Sequence, residues 1–175
     1  MKCEYCEILS GRGRANILYE DNDIIVAIKD TVTTPGQITI FPKEHYTIME
    51  MVPEQILEKC SIISNKISIA VFESLGAQGT NIVVQNGLSA GQKVPHFAIE
   101  VIPRREGDGL NLQWEPKQLE EHEMEGTVSS LKEALKNLEK SIKKEKKSVK
   151  KENPDTETEE EKEENYLIKS LKRIP

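Results

Sequence analysis

Apolar and polar positions in the first part of the chain form short alternating runs, interrupted by one long stripe of helical period. Residues 16–19 and 23–29 read as two strands, joined at Glu20-Asp21-Asn22 by a tight hairpin. Residues 37–41 read as a third strand, with Pro35-Gly36 before it and Pro42 after it. Pro53 suits the first position of a helix, and Glu54 suits its first turn, where an acid meets the positive end of the helix dipole. From there to about Ser74, Ile56, Cys60, Ile63, Ile67 and Ala70 recur at one-face spacing and predict a long helix with a single apolar stripe. Gly76 and Gly79 close it. Residues 80–84 read as a fourth strand and residues 96–102 as a fifth, with a loop holding Gly87 and Gly91 between them. Ahead of these, residues 3–9 read as a short helix stopped near Gly11 and Gly13. Short antiparallel strands with a long helix laid on them give an α+β class.

The fifth strand carries the chemistry. Phe97, Ile99 and Val101 point to one side, and His96, Ala98 and Glu100 point to the other. The first set is core and the second faces a site. With Gly91-Gln92 before it and Pro103 after it, this stretch resembles the signature of the histidine triad (HIT) family, Gly-Gln-x-x-x-His-x-His-x-His-x-x-Pro. The first histidine is kept as His96. The second, the family's nucleophile, is Ala98, and the third is Glu100. The resemblance covers roughly residues 3–114 and includes the order of helices and strands. It implies a HIT-like fold: a five-stranded antiparallel sheet with one long and one short helix, paired as a homodimer that joins two sheets.

In the active family the middle histidine attacks the α-phosphorus of a nucleotide, forming a nucleotidyl-imidazole that water then cleaves. Ala98 has no nitrogen to attack with. Removing a nucleophile costs on the order of 10⁴–10⁶ in turnover in a serine protease. The resemblance therefore implies a catalytically impaired pseudoenzyme that acts by binding. The alternative is a low-activity hydrolase or transferase acting on nucleoside phosphoramidates or dinucleoside polyphosphates. Glu100 adds negative charge where phosphates would lie. Lys93 replaces a small hydroxyl residue that contacts phosphate in the family. Asp30 matches the acid that holds the ribose, although a plain turn residue before Thr31 accounts for it equally well. Tyr5 stands where a residue lies near the base, and Gln85 replaces the usual Asn before Asn86-Gly87. Gly91 and Gln92 are intact. The implied ligand is a purine nucleotide.

A metal reading starts from Cys3-x-x-Cys6, which alone suits metal binding or free thiols equally. The body adds two histidines, His45 and His96, and two thiolates with two imidazoles make a closed tetrahedral zinc set. Only a fold brings residues so far apart together. Zinc-bearing branches of the family use such a Cys-x-x-Cys, a His after the third strand and the His two residues before the nucleophile. The resemblance thus implies structural zinc on Cys3, Cys6, His45 and His96. The competing reading leaves the thiols free and hydrogen-bonds both imidazoles to backbone. Cys60 lies on the apolar stripe and reads as core. His122 reads as solvated.

Charge separates the body from a tail. Residues 1–114 hold 24 charged residues, and the last 61 residues hold 30. The body, net −4, is not an expected nucleic-acid binder. Residues 115–151 read as a charged helical extension in which Val128, Leu131, Leu135, Leu138 and Ile142 form a short heptad seam, with Ser130 and Glu133 as a capping box at its start. Residues 152–164 read as an acidic disordered linker broken by Pro154. Residues 165–175 turn apolar and basic again, with Leu167, Ile168, Leu171 and Ile174 on one face, and read as a docking segment for a protein partner or for the body itself. Three cysteines suit no disulfide framework. No apolar run is long enough to span a membrane, and no signal peptide leads the chain. A reducing, cytoplasmic setting is expected.

Overall fold

The computed structural model describes residues 3–112 and 114–149. The chain divides after Leu110 into two units, and the first carries the sheet. Its elements are α1 (Glu4–Leu9), β1 (Ala15–Glu20), β2 (Ile24–Lys29), β3 (Ile38–Pro42), α2 (Glu54–Leu75), β4 (Gly79–Val83) and β5 (Ile99–Arg104). The strands form one antiparallel sheet in the order β1-β2-β3-β5-β4. The class is α+β, with one long and one short helix as the sequence predicts.

Both faces of the sheet are covered at its centre, so the first four residues of β2 are buried. Ile24 and Val26 join Ile38, Ile40, Phe97, Ile99 and Val101 against Cys60 and Val71 of α2. Ile25 and Ala27 point the other way and pack with Phe41 and with Cys3, Tyr5 and Ile8 at and within α1. The β1–β2 hairpin closes on Asp21, whose carboxylate accepts the amides of Asp23 (2.8 Å) and Ile24 (3.0 Å). Lys59 of α2 pairs with Asp21 at 2.9 Å and with Asp23 at 2.6 Å, fastening the turn to the long helix. α2 ends where Gly76 takes the left-handed conformation, φ 62°, that a helix stop favours.

Three expectations need correction. Ala70 is exposed. The buried line of α2 runs through Cys60, Ser64, Ser68 and Val71, flanked by Ile56, Ile63 and Ile67. Two serines hide that line from a reading based on apolar residues alone. Ser68 meets Thr80 of β4 at 2.5 Å, and Ser64 bonds its own helix at Ser61. Next, β5 begins at Ile99 rather than His96. The preceding residues leave the ladder because the Phe97 amide goes to the Tyr46 carbonyl at 2.6 Å and the His96 amide to Val94 at 2.8 Å.

The third correction falls in the second unit, which contains α3 (Glu121–Val149). Ser130 does not cap a helix start, because α3 is already under way and the Ser130 hydroxyl bonds the Gly126 carbonyl. The start lies at Glu120, whose amide donates to the Glu123 carboxylate at 3.2 Å. The acidic linker of residues 152–164 and the segment 165–175 lie outside the described residues, as do Lys150 and Lys151. No helix among the described residues is long and apolar enough to cross a membrane.

Candidate metal centre and triad strand

Residues from three distant stretches meet beside α1. Cys3 precedes the helix and Cys6 lies on its first turn. His45 follows β3, and His96 precedes β5. One ligand atom from each of Cys3, Cys6, His45 and His96 lies within 4.8 Å of all the others. Cys6 Sγ is 3.2 Å from His45 Nδ1, and His96 Nδ1 is 3.5 Å from Cys3 Sγ and 3.7 Å from Cys6 Sγ. Tetrahedral zinc, with bonds near 2.3 Å to sulfur and 2.0 Å to nitrogen, sets sulfur and nitrogen about 3.5 Å apart. The donor set and its spacing fit that ion.

The electrostatics agree. His96 is buried and its Nε2–H donates to the Pro42 carbonyl at 2.9 Å, which turns the bare Nδ1 toward the thiols. A second partner of this kind fixes the tautomer of a metal-binding histidine. Burial, with a smaller contribution from His45, lowers the His96 imidazole to about 4, so it is neutral at neutral pH. Burial and the neighbouring Cys3 push the Cys6 thiol up, since two thiolates side by side need a cation.

Ala98 is half-buried and packs against the α1 cluster. Glu100 is held by a ring of donors. Gln37 Nε2 and Thr39 Oγ1 each lie 2.9 Å from its Oε2, while Tyr5 OH lies 3.3 Å and Lys29 Nζ 3.5 Å from its Oε1. Thr39 stands directly opposite Glu100 in the β3–β5 ladder. Tyr5 is 4% exposed, stacks on Phe41 with ring centres 4.7 Å apart and meets His96 edge-on. Burial and the Glu100 charge push its phenol far up, so it remains a neutral donor.

The other nucleotide-facing residues of the sequence reading are dispersed. Asp30 is exposed and its nearest side-chain partner is Thr31 at 3.5 Å. Lys93 is exposed. Gln92 is engaged with backbone: its Oε1 accepts the Gly87 amide at 2.8 Å, and its Nε2 donates to Thr47 and Val94 carbonyls at 2.7 and 3.0 Å. Gly91 has φ 84°, and a Cβ there would stand 2.8 Å from Gln85 Nε2, so Gln85 and Gly91 do meet. Sequence reasoning missed Lys29, Gln37 and Thr39. An acid on the inward alternation of the triad strand, Glu100, was the signal, because a partly buried carboxylate demands donors from the neighbouring strands. It also missed Asn86, which anchors the Gly87 loop by donating to the Glu50 carboxylate at 2.7 and 2.8 Å and accepting the Met49 amide.

Comparison with known proteins follows the same lines. An uncharacterized HIT-like protein of Methanocaldococcus jannaschii is 36% identical over 108 residues, 61% of this chain and 82% of that protein. An adenylylsulfatase of Arabidopsis thaliana is 33% identical over 123 residues, 70% of this chain but only 60% of its own length. Among solved structures, a zinc-bound histidine triad family protein from Mycobacterium smegmatis is similar with a TM-score of 0.59 and 31% identity, covering 67% of this chain and 85% of that one. The HIT domain model matches residues 11–107, more than half of the chain, beginning after the two cysteines and ending beyond the triad strand. The chain belongs to the HIT domain family.

Proposed function

We propose that this HIT protein binds a purine nucleotide or a protein partner without turning the nucleotide over, on a body held together by structural zinc. One observation carries the reading: a methyl group, Ala98, stands where the family signature places its attacking imidazole. The neighbouring Glu100 supports it. Its carboxylate is occupied by four donors from Tyr5, Lys29, Gln37 and Thr39, so it is not poised as a base. Zinc would be held by Cys3, Cys6, His45 and His96. Four protein ligands leave no open position, so its role would be to join segments rather than to activate water. Any ribose contact would fall to Asp30 and any phosphate contact to Lys93, both of which face solvent. Tyr5 is turned into the core and contributes to shape rather than to a base contact. A homodimer through the sheet is consistent with β4, an edge strand on which Ile82 is 49% exposed. Reduced thiols suit a cytoplasmic setting.

The Arabidopsis relative is an adenylylsulfatase, and that likeness favours a second reading, a slow nucleotide hydrolase. Purified protein is tested by metal analysis, by calorimetric titration with AMP, and by AMP release from adenosine phosphoramidate and adenylyl sulfate. The expected result is one zinc per chain, measurable AMP binding and release no faster than the blank. Release with turnover, or a nucleotide adduct trapped on the unaltered chain, overturns the pseudoenzyme reading. Ala98→His is expected to gain AMP release.

A further inference from the structure

α3 shows an apolar stripe to solvent. Every residue from Trp114 to Lys136 is exposed, including Met124 at 51%, Val128 at 40%, Leu131 at 56% and Leu135 at 48%. A lone helix gains little in water from propensity alone and depends on covering such a face. The stripe is a short heptad seam. Val128, Leu135 and Ile142 take its a positions and Met124, Leu131 and Leu138 its d positions, and Glu121 at a and Glu145 at d end it. Branched residues at a with leucine at d favour two strands.

Charge identifies the second strand and its direction. The e positions read Glu125, Lys132, Glu139 and Lys146, and the g positions Thr127, Ala134, Ser141 and Ser148 are small and uncharged. Two copies lying parallel would set these e positions against uncharged g positions, with no ion pair between them. Two copies lying antiparallel bring e positions together across the seam. In one register, which pairs Leu135 with Leu138 of the second copy, Lys132 meets Glu139 and Glu125 meets Lys146, each twice by symmetry. Sliding by one heptad either way pairs Lys132 or Glu139 with a like charge.

We propose that α3 pairs with α3 of a second copy of this chain as an antiparallel two-stranded coiled coil in that register. At a rise of 1.5 Å per residue its 29 residues span about 43 Å. The pairing is separate from a sheet-edge homodimer, so the test reads the helix itself.

Full-length protein in ordinary and ¹⁵N-labelled forms is mixed and treated with a zero-length carbodiimide. Links joining Lys132 to Glu139 and Glu125 to Lys146 are expected between light and heavy chains. Lys132→Glu or Glu139→Lys alone turns two attractive contacts repulsive and is expected to weaken the association about tenfold or more. The double exchange restores it. Leu131→Asp removes the mixed links even where light scattering still reports a dimer, which separates the coil from the sheet-edge pairing. Four results overturn the proposal: no mixed links at these pairs, links that survive Leu131→Asp, a double exchange no better than either single one, or links that join neighbouring positions such as Lys132 to Glu133.

Discussion

Glu100, at the third position of the family signature, fastens several elements of the body to one another. Its side chain is 16% exposed and pairs with Lys29, itself 12% exposed, so neither charge is well solvated. In this setting the carboxylate is a structural acceptor that joins β2, β3, β5 and α1 through Lys29, Gln37, Thr39 and Tyr5. Glu100→Ala leaves Lys29 and three neutral donors without their acceptor. It should destabilise the body by about 2–4 kcal/mol, measured by urea denaturation. Glu100→Gln keeps an acceptor but loses the charge, and should cost less than half as much. Equal losses for the two variants would show that packing, not the carboxylate, holds this face. Cys60 is the opposite case. It is fully buried in the core and its thiol is pushed up to about 11 by burial. It should stay unmodified by iodoacetamide at pH 8 in the folded protein, while Cys6 reacts once metal is stripped; mass spectrometry of the alkylated peptides tells them apart.

At the scale of elements, the turn at Asp21 and its tie to α2 make the hairpin sensitive to acid. Burial alone would raise the Asp21 carboxyl, but Lys59, the Asp23 and Ile24 amides and the Tyr19 hydroxyl together hold it well below the usual range. An unfolded aspartate titrates near 3.9. Between that value and the lower folded one the unfolded chain binds more protons. The tie is therefore at full strength above about pH 4 and fades as pH falls further. Asp21→Asn keeps the turn acceptor and loses the ion pairs. It should cost about 0.5–1 kcal/mol at pH 7 and progressively less below pH 3, a convergence that denaturation at a series of pH values would reveal or refute. The elements themselves were largely legible in the sequence, because strand alternation and helix stops are local signals. The limits appear where partners are non-local. Ser64 and Ser68 lie at the centre of the buried face of α2, so the apolar pattern drifts toward Ala70 on the exposed side. His96 to Ala98 continue the alternation of β5, yet the His96 and Phe97 amides are drawn off by Val94 and Tyr46, which no periodicity announces. That Cys3, Cys6, His45 and His96 gather in one cluster was readable from the resemblance. The donors around Glu100 required knowing which strands adjoin β5.

For the molecule as a whole, the question is what keeps α1 on the sheet. Six residues are too few for a helix to persist by itself. Tyr5 and Ile8 bury their side chains under it, and the Cys3, Cys6, His45 and His96 cluster ties its start to the stretch after β3 and the stretch before β5. A metal there links positions far apart in sequence, so in the proposed structural role its binding energy is folding energy. With free metal about a thousandfold above its dissociation constant the gain is roughly 4 kcal/mol, or about 15 °C in Tm for a body of this size. Chelation should therefore lower Tm by about that amount, and added zinc should restore it. Cys6→Ser should melt at the lower temperature and respond to neither treatment. Hydrogen exchange then locates the effect. Amides of α1 and of the segment around His96 should lose protection when metal leaves, while β2 and α2, packed through Ile24, Val26, Cys60 and Val71, keep theirs. A chelated protein with unchanged Tm and a protected α1 would mean that Tyr5, Ile8 and the Glu100 ring suffice to seat the helix, and that the metal is incidental to the fold.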